Sequence, residues 1–175
     1  MTEASIKQIL DTERLTLSFG QKLSHYFFVF FILLPPMFTT YDFIQYYILD
    51  SYSGIRTPEE MAFNYLWILP AIALIVIQRN RLKFKKYRIS ANEQELSKAL
   101  KITSQELNWR IEKQSSNYIR AYRDWDLTAS MGEMITIVTA EKYVLINSIC
   151  DPNKKASIAS FGLNRTNKRT FMINL

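Results

Sequence analysis

Two apolar runs, residues 26–49 and 61–77, constrain the fold of this chain more than any other feature. A helix that crosses the hydrocarbon core of a bilayer needs about 20 mostly apolar residues. The segments YFFVFFILLPPMF and AIALIVI have no polar stripe, which argues against the alternative, a pair of buried helices in a soluble core. The sequence therefore predicts a membrane α-helical hairpin of two transmembrane helices over residues 25–78.

Prolines and a few polar residues interrupt both predicted spans. Pro35 and Pro36 predict a kink or local unwinding of the first span, and Pro70 lies near the middle of the second run. Three polar residues are candidates for an intramembrane contact with a partner helix: Asp42, Gln45 and Asn64. For Asp42 we prefer a position at the outer interface, because tyrosines flank it, and the contact with a partner helix is the alternative.

A basic cluster directly after the second run predicts the orientation of the hairpin. It contains Arg79, Arg81, Lys83, Lys85, Lys86 and Arg88. The link at residues 50–60 has one basic residue, Arg56. The excess of Lys and Arg on the cytoplasmic side of membrane proteins predicts a multi-pass protein of the bacterial inner membrane with both termini in the cytoplasm. Residues 1–24 are then an N-terminal cytoplasmic segment that forms an interfacial helix or a tail, and a cleaved signal peptide is not expected.

The chain after the hairpin is strongly basic. Residues 79–175 contain 18 Lys and Arg against 9 Asp and Glu. A basic domain beside a membrane is attracted to anionic lipid headgroups, and we prefer this explanation to nucleic-acid binding because the charges cluster at the membrane junction and the C-terminus. The candidate anion-binding residues are therefore the basic cluster together with Arg165, Lys168 and Arg169, which share one side of a predicted helix. The alternative is that the first cluster only sets topology and the second is a solvated helix face.

Residues 79–175 predict a small cytoplasmic α+β domain. Residues 82–90 either continue the second span or form a strand, and Ser90 with Glu93 predicts the capping box of a following helix. An antiparallel meander of four or five strands is predicted at residues 109–114, 118–123, 134–139, 143–150 and 156–161. Asn164 is expected to cap a C-terminal helix.

The residue composition argues against several kinds of chemistry. Cys150 is the only cysteine and His25 the only histidine, so the sequence predicts no metal site, cofactor or catalytic residue. Glu133 follows Gly132, with Asp124 and Asp126 upstream, but no motif spacing supports a carboxylate pair. We expect these loop carboxylates to be solvated.

The segments MGEMITI, INSICDP and SFGLNRTNKRTF resemble a small cytoplasmic α+β module of uncharacterised bacterial two-span membrane proteins. A similar module is appended to some rhomboid-like proteases. The matching residues are Gly132, Glu133, Ile135, Ile137, Ser148, Cys150, Phe161, Gly162, Asn164, Asn167 and Phe171. The resemblance implies no activity, and the chain has neither a GxSxG element nor a spanning histidine from which rhomboid catalysis would follow.

These observations favour a non-enzymatic inner-membrane protein whose cytoplasmic domain is a protein-interaction or accessory-subunit module. Its expected partners are membrane lipids and a membrane protein or a second copy of the chain, and no nucleic acid. Two alternatives stay open, which are an anionic-lipid-sensing module and an immunity or inhibitor protein of a membrane target.

Overall fold

The computed structural model describes residues 3–89, 92–124, 132–154 and 162–175. The chain forms two compact units. One consists of Tyr26–Gln78, and the other combines Met1–His25 with Arg79–Leu175. We call them the hairpin unit and the globular unit.

The hairpin unit contains two helices that are long and apolar enough to cross a membrane, Phe19–Tyr47 and Pro58–Arg81. The first, α2 (Phe19–Tyr47), begins in the globular unit and remains helical through Pro35 and Pro36. The second consists of α3 (Pro58–Ala62), a 3₁₀ turn (Phe63–Trp67) and α4 (Ile68–Arg81). Pro70 lies in the first turn of α4, where a missing backbone N–H is tolerated.

Large apolar side chains cover the outside of the hairpin unit, and its interior is small. Val29, Met61, Ala71 and Leu74 are its buried apolar residues among those described. By contrast, Phe38 and Leu69 are about two-thirds exposed. A helix pair of this kind does not bury its own apolar surface.

The globular unit contains an antiparallel five-stranded sheet with the order β1-β5-β4-β3-β2. Its strands are β1 (Lys85–Arg88), β2 (Trp109–Ser115), β3 (Tyr118–Arg123), β4 (Glu133–Ala140) and β5 (Tyr143–Cys150). The structure confirms four of the predicted strands as a meander, and β1 shows that the chain after the second long apolar helix forms a strand. The strand predicted at residues 156–161 lies outside the described residues.

Helices α5 (Glu93–Glu106) and α6 (Leu163–Asn174) both begin at residues other than those predicted. The capping box of α5 is formed by Asn92 and Glu95, with hydrogen bonds of 2.9 Å in both directions. The Ser90 of the predicted box lies outside the described residues. The position before α6 is occupied by Gly162, whose φ of 86° is in the left-handed region where glycine is favoured. Asn164 lies inside the helix, so the prediction that it caps α6 was wrong.

The sheet is covered by helices on both faces. Helices α5 and α6 cover the face that includes Ile135 and Ile137. Helix α1 (Glu3–Thr12) and the segment after it cover the opposite face, where Ile9 packs among residues such as Leu145. The sequence predicts residues 1–24 as a segment separate from the domain, whereas these contacts make α1 and the segment after it part of the core of the globular unit.

The segments that lead into and out of the hairpin pair with each other inside the globular unit. The amide of Leu15 donates to the carbonyl of Leu82, and the amide of Phe84 donates to the carbonyl of Glu13, each at 2.8 Å. The side-chain amide of Asn147 on β5 donates to the carbonyls of Arg81 and Lys83 at 2.8 and 2.9 Å. We call this arrangement the hairpin base.

Candidate functional site

A row of polar residues crosses one end of the sheet on the face that α6 covers. The strand register places Arg123 of β3 between Glu133 of β4 and Trp109 of β2. Cys150 of β5 lies on the other side of Glu133. Cross-strand neighbours point to the same face of a sheet, so these side chains lie next to one another beneath α6.

Hydrogen bonds connect this row to α6 through Asn167. The side-chain amide of Asn167 donates to Glu133 Oε2 and, at 3.1 Å, to Ser148 Oγ. Its carbonyl oxygen accepts a 3.2 Å bond from Trp109 Nε1, and Ser148 Oγ donates to Asn164 Oδ1 at 3.0 Å. We call Trp109, Glu133, Ser148, Asn164 and Asn167 the Glu133 cluster.

Glu133 is a fully buried carboxyl group. Burial raises its pKa to about 7, against the combined effect of the Asn167 hydrogen bond and the positive charges of Arg123 and Lys168, which lower it. Oε1 of Glu133 and Nη1 of Arg123 are both buried and have no hydrogen-bond partner among the described residues. An ionised carboxylate at this position therefore lacks full compensation.

The structure corrects the expectation that Glu133 is a solvated loop carboxylate. Glu133 is the first residue of β4 and is 0% exposed. Asp124 is instead on the surface, where an ion pair of 2.7 Å with Lys154 lowers its pKa. Asp126 lies outside the described residues.

The basic cluster of residues 79–88 is largely on the surface. Arg79, Lys83, Lys85, Lys86 and Arg88 are exposed, and Arg81 is half-buried. Lys86 forms a 2.8 Å ion pair with Glu13 and lies 4.2 Å from the ring centre of Tyr143. Since β1 alternates between faces, Lys85 is on the opposite face from Lys86, the face that α6 covers.

The second predicted basic group meets the first at this face. Arg165 and Arg169 of α6 are exposed, whereas Lys168 is half-buried. The pKa of Lys168 is lowered by burial and by the positive charge of Lys85. Two cations that repel each other in this way favour an anion beside them. We call the basic cluster together with Arg165, Lys168 and Arg169 the basic surface.

The three polar candidates of the hairpin unit have separate surroundings. The side-chain amide of Asn64 donates to Thr39 Oγ1 at 2.8 Å, which links the two arms of the hairpin. That of Gln45 donates to the Tyr41 hydroxyl at 2.9 Å, one turn away on the same helix. Asp42 is half-buried. The structure does not bring these residues into one site.

The Glu133 cluster is the main feature that sequence reasoning missed. Four of its five members, all except Trp109, are among the residues that carry the resemblance described above. That shared pattern was the available signal. Within residues 3–89, 92–124, 132–154 and 162–175, no group of three or more His, Cys, Asp and Glu side chains is placed to hold a metal ion.

No protein-family model, curated protein or solved structure matches this chain.

Proposed function

We propose that this chain is a non-enzymatic, two-span protein of the bacterial inner membrane whose globular unit binds anionic lipid headgroups through the basic surface. The observation that carries the proposal is that the two basic groups meet at Lys85 of β1 and Lys168 of α6. Strand β1 begins four residues after the second long apolar helix ends. Each cation held near an anionic leaflet contributes about 1 kcal/mol of attraction.

The hairpin unit supports the membrane part of this proposal. Its exposed phenylalanine, leucine and isoleucine side chains form an apolar exterior that soluble monomers rarely present to water. Two of its polar groups, those of Asn64 and Thr39, bond to each other across the two arms. Such a surface is suited to lipid tails or to other transmembrane helices.

The proposal predicts that charge removal at β1 weakens binding of an anionic lipid. Full-length protein in a neutral detergent is titrated with short-chain phosphatidylglycerol, and bound lipid is counted by native mass spectrometry. Lys83→Gln with Lys85→Gln should lower the affinity about 30-fold, since two cations at about 1 kcal/mol each are lost. Raising the salt concentration should weaken binding to the unaltered protein.

The matched control removes two exposed lysines of α5, Lys98 and Lys101, by the same change to glutamine. This variant has the same net charge as the first but should retain the affinity of the unaltered protein. Equal losses in both variants would show a general charge effect, and phosphatidylcholine binding as tight as phosphatidylglycerol would contradict the proposal.

An accessory subunit of a membrane complex is the second candidate function. A cleft of about 350 Å³ between the start of α5 and the turn from β4 to β5 favours it. Its apolar lining includes Leu96 and Val144, with Glu93 and Glu141 beside them. A subunit that co-purifies with the unaltered chain, but not with Ala140→Arg in this cleft, would support partner binding there.

A further inference from the structure

We propose that Glu133 is a proton-sensitive latch for α6, which holds the helix on the sheet while it is protonated and loosens it when it is ionised. This inference goes beyond lipid binding, since it concerns contacts inside the globular unit and is tested without lipid. It rests on the position of one buried carboxyl group at the junction between α6 and the sheet.

Asn167 is the residue through which α6 contacts the latch. It is fully buried and binds one side chain from each of three strands, namely Trp109 of β2, Glu133 of β4 and Ser148 of β5. One turn further along, Phe171 stacks on Trp109 with 6.3 Å between ring centres. Any change in the charge of Glu133 therefore acts on the residue that fixes α6 to the sheet.

The charged groups facing Glu133 do not neutralise it. Arg123 faces it from β3 and Lys168 from α6, and both favour the ionised form. On the same face β2 contributes the indole of Trp109, and β5 contributes Ser148 and the Cys150 thiol. Helix α5 contacts α6 at a different point, where Asn174 donates to Thr103 Oγ1 and to Glu106 Oε2, each at 3.1 Å. Among the described residues, no cation lies within 4.0 Å of the Glu133 carboxylate.

The direction of the effect follows from proton linkage. With α6 docked, burial holds the pKa of Glu133 at about 7, against an ordinary value of 4.5. Release of α6 lets water reach the carboxyl group, so the open form loses its proton at lower pH. The open fraction therefore rises about tenfold per pH unit between those two values, about 300-fold in total, and is constant outside them.

Hydrogen–deuterium exchange of the full-length protein in detergent tests the latch. Protection of the α6 amides, corrected for the intrinsic pH dependence of exchange, should fall about 100-fold between about pH 5 and about pH 7. In Glu133→Gln, which has no ionisable proton at this position, protection should be independent of pH over that range.

Glu106→Gln is the matched control, because it also removes a carboxylate that α6 contacts, but an exposed one. It should retain the pH dependence of the unaltered protein. Equal pH dependence in Glu133→Gln and the unaltered protein would overturn the proposal, as would an equal loss of protection in α5.

Lys168→Met gives a second test that keeps the carboxyl group. Removing this cation should move the transition to higher pH, and an unmoved or lowered transition would contradict the latch.

Discussion

Asn147 holds the hairpin base to the sheet, and its contribution can be measured at a single side chain. It is 1% exposed, and its amide satisfies two carbonyls that precede β1. Asn147→Ala should lower the free energy of unfolding by about 2–4 kcal/mol, because two neutral hydrogen bonds are lost and buried carbonyls remain unpaired. Denaturant titration of the full-length protein checks this.

The control for Asn147 is its cross-strand neighbour Thr136. The hydroxyl of Thr136 is buried and has no hydrogen-bond partner within the described part of the chain. Thr136→Val keeps the shape and removes this hydroxyl, so stability should be unchanged or higher. A comparable loss in both variants would indicate that packing, and not hydrogen bonding, determines the effect at Asn147.

The burial of Glu133 could not be predicted from the sequence. Gly132 has a φ of 89°, in the left-handed region, and β4 begins directly after it at Glu133. A carboxylate next to a glycine is usually solvated, and only the register with β3 and the cover provided by α6 make this one buried. Both depend on contacts between residues far apart in sequence.

At the scale of elements, the hydrogen bond between Asn64 and Thr39 links the two arms of the hairpin unit. A double-mutant cycle of Asn64→Leu and Thr39→Val should give a coupling energy of about 0.6–1.7 kcal/mol, as is typical of hydrogen bonds between transmembrane helices. Unfolding of the protein in mixed micelles provides the measurement. Gln45→Leu paired with Thr39→Val is the control and should show no coupling, since Gln45 bonds to Tyr41.

Elements with a strong local period were predictable, and those fixed by distant contacts were not. Strand-like sequence patterns were sufficient to predict β2 to β5, although β4 and β5 are buried at almost every position because both faces of the sheet are covered. Strand β1 consists of three basic residues and one tyrosine, and its pairing with β5 joins positions about 60 residues apart. The start of α5 was placed incorrectly because Ser90–Glu93 and Asn92–Glu95 both match the capping-box pattern. The second pair forms the bonds, and Ser90 lies outside the described residues.

At the scale of the whole molecule, the N-terminal helix contributes to the core of the globular unit. Ile9 is 0% exposed. Ile9→Ala should therefore lower the free energy of unfolding of the globular unit by about 2–4 kcal/mol. Lys7→Ala, on the exposed side of the same helix, should have little effect. If Ile9→Ala left the stability unchanged, α1 would not belong to this core.

The role of α1 could not be predicted because its apolar residues fit two environments. A narrow apolar stripe suits the interface of a bilayer as well as the face of a sheet. The deciding fact is that one sheet face, including Tyr118 and Leu145, would otherwise be uncovered. The sequence predicted the sheet but not which segment covers it.

The hairpin base has a consequence for how the chain matures during synthesis. The ribosome makes α1 and Glu13 first, and their partners Leu82 and Phe84 follow some 70 residues later. In the interval the chain between them must leave the exit tunnel, so α1 is made before the sheet against which it packs. Closing so long a loop is slow compared with local folding. The globular unit can therefore be completed only after both arms of the hairpin have been made. A chain whose synthesis stops between the two arms exposes the apolar side of α1 to chaperones and proteases.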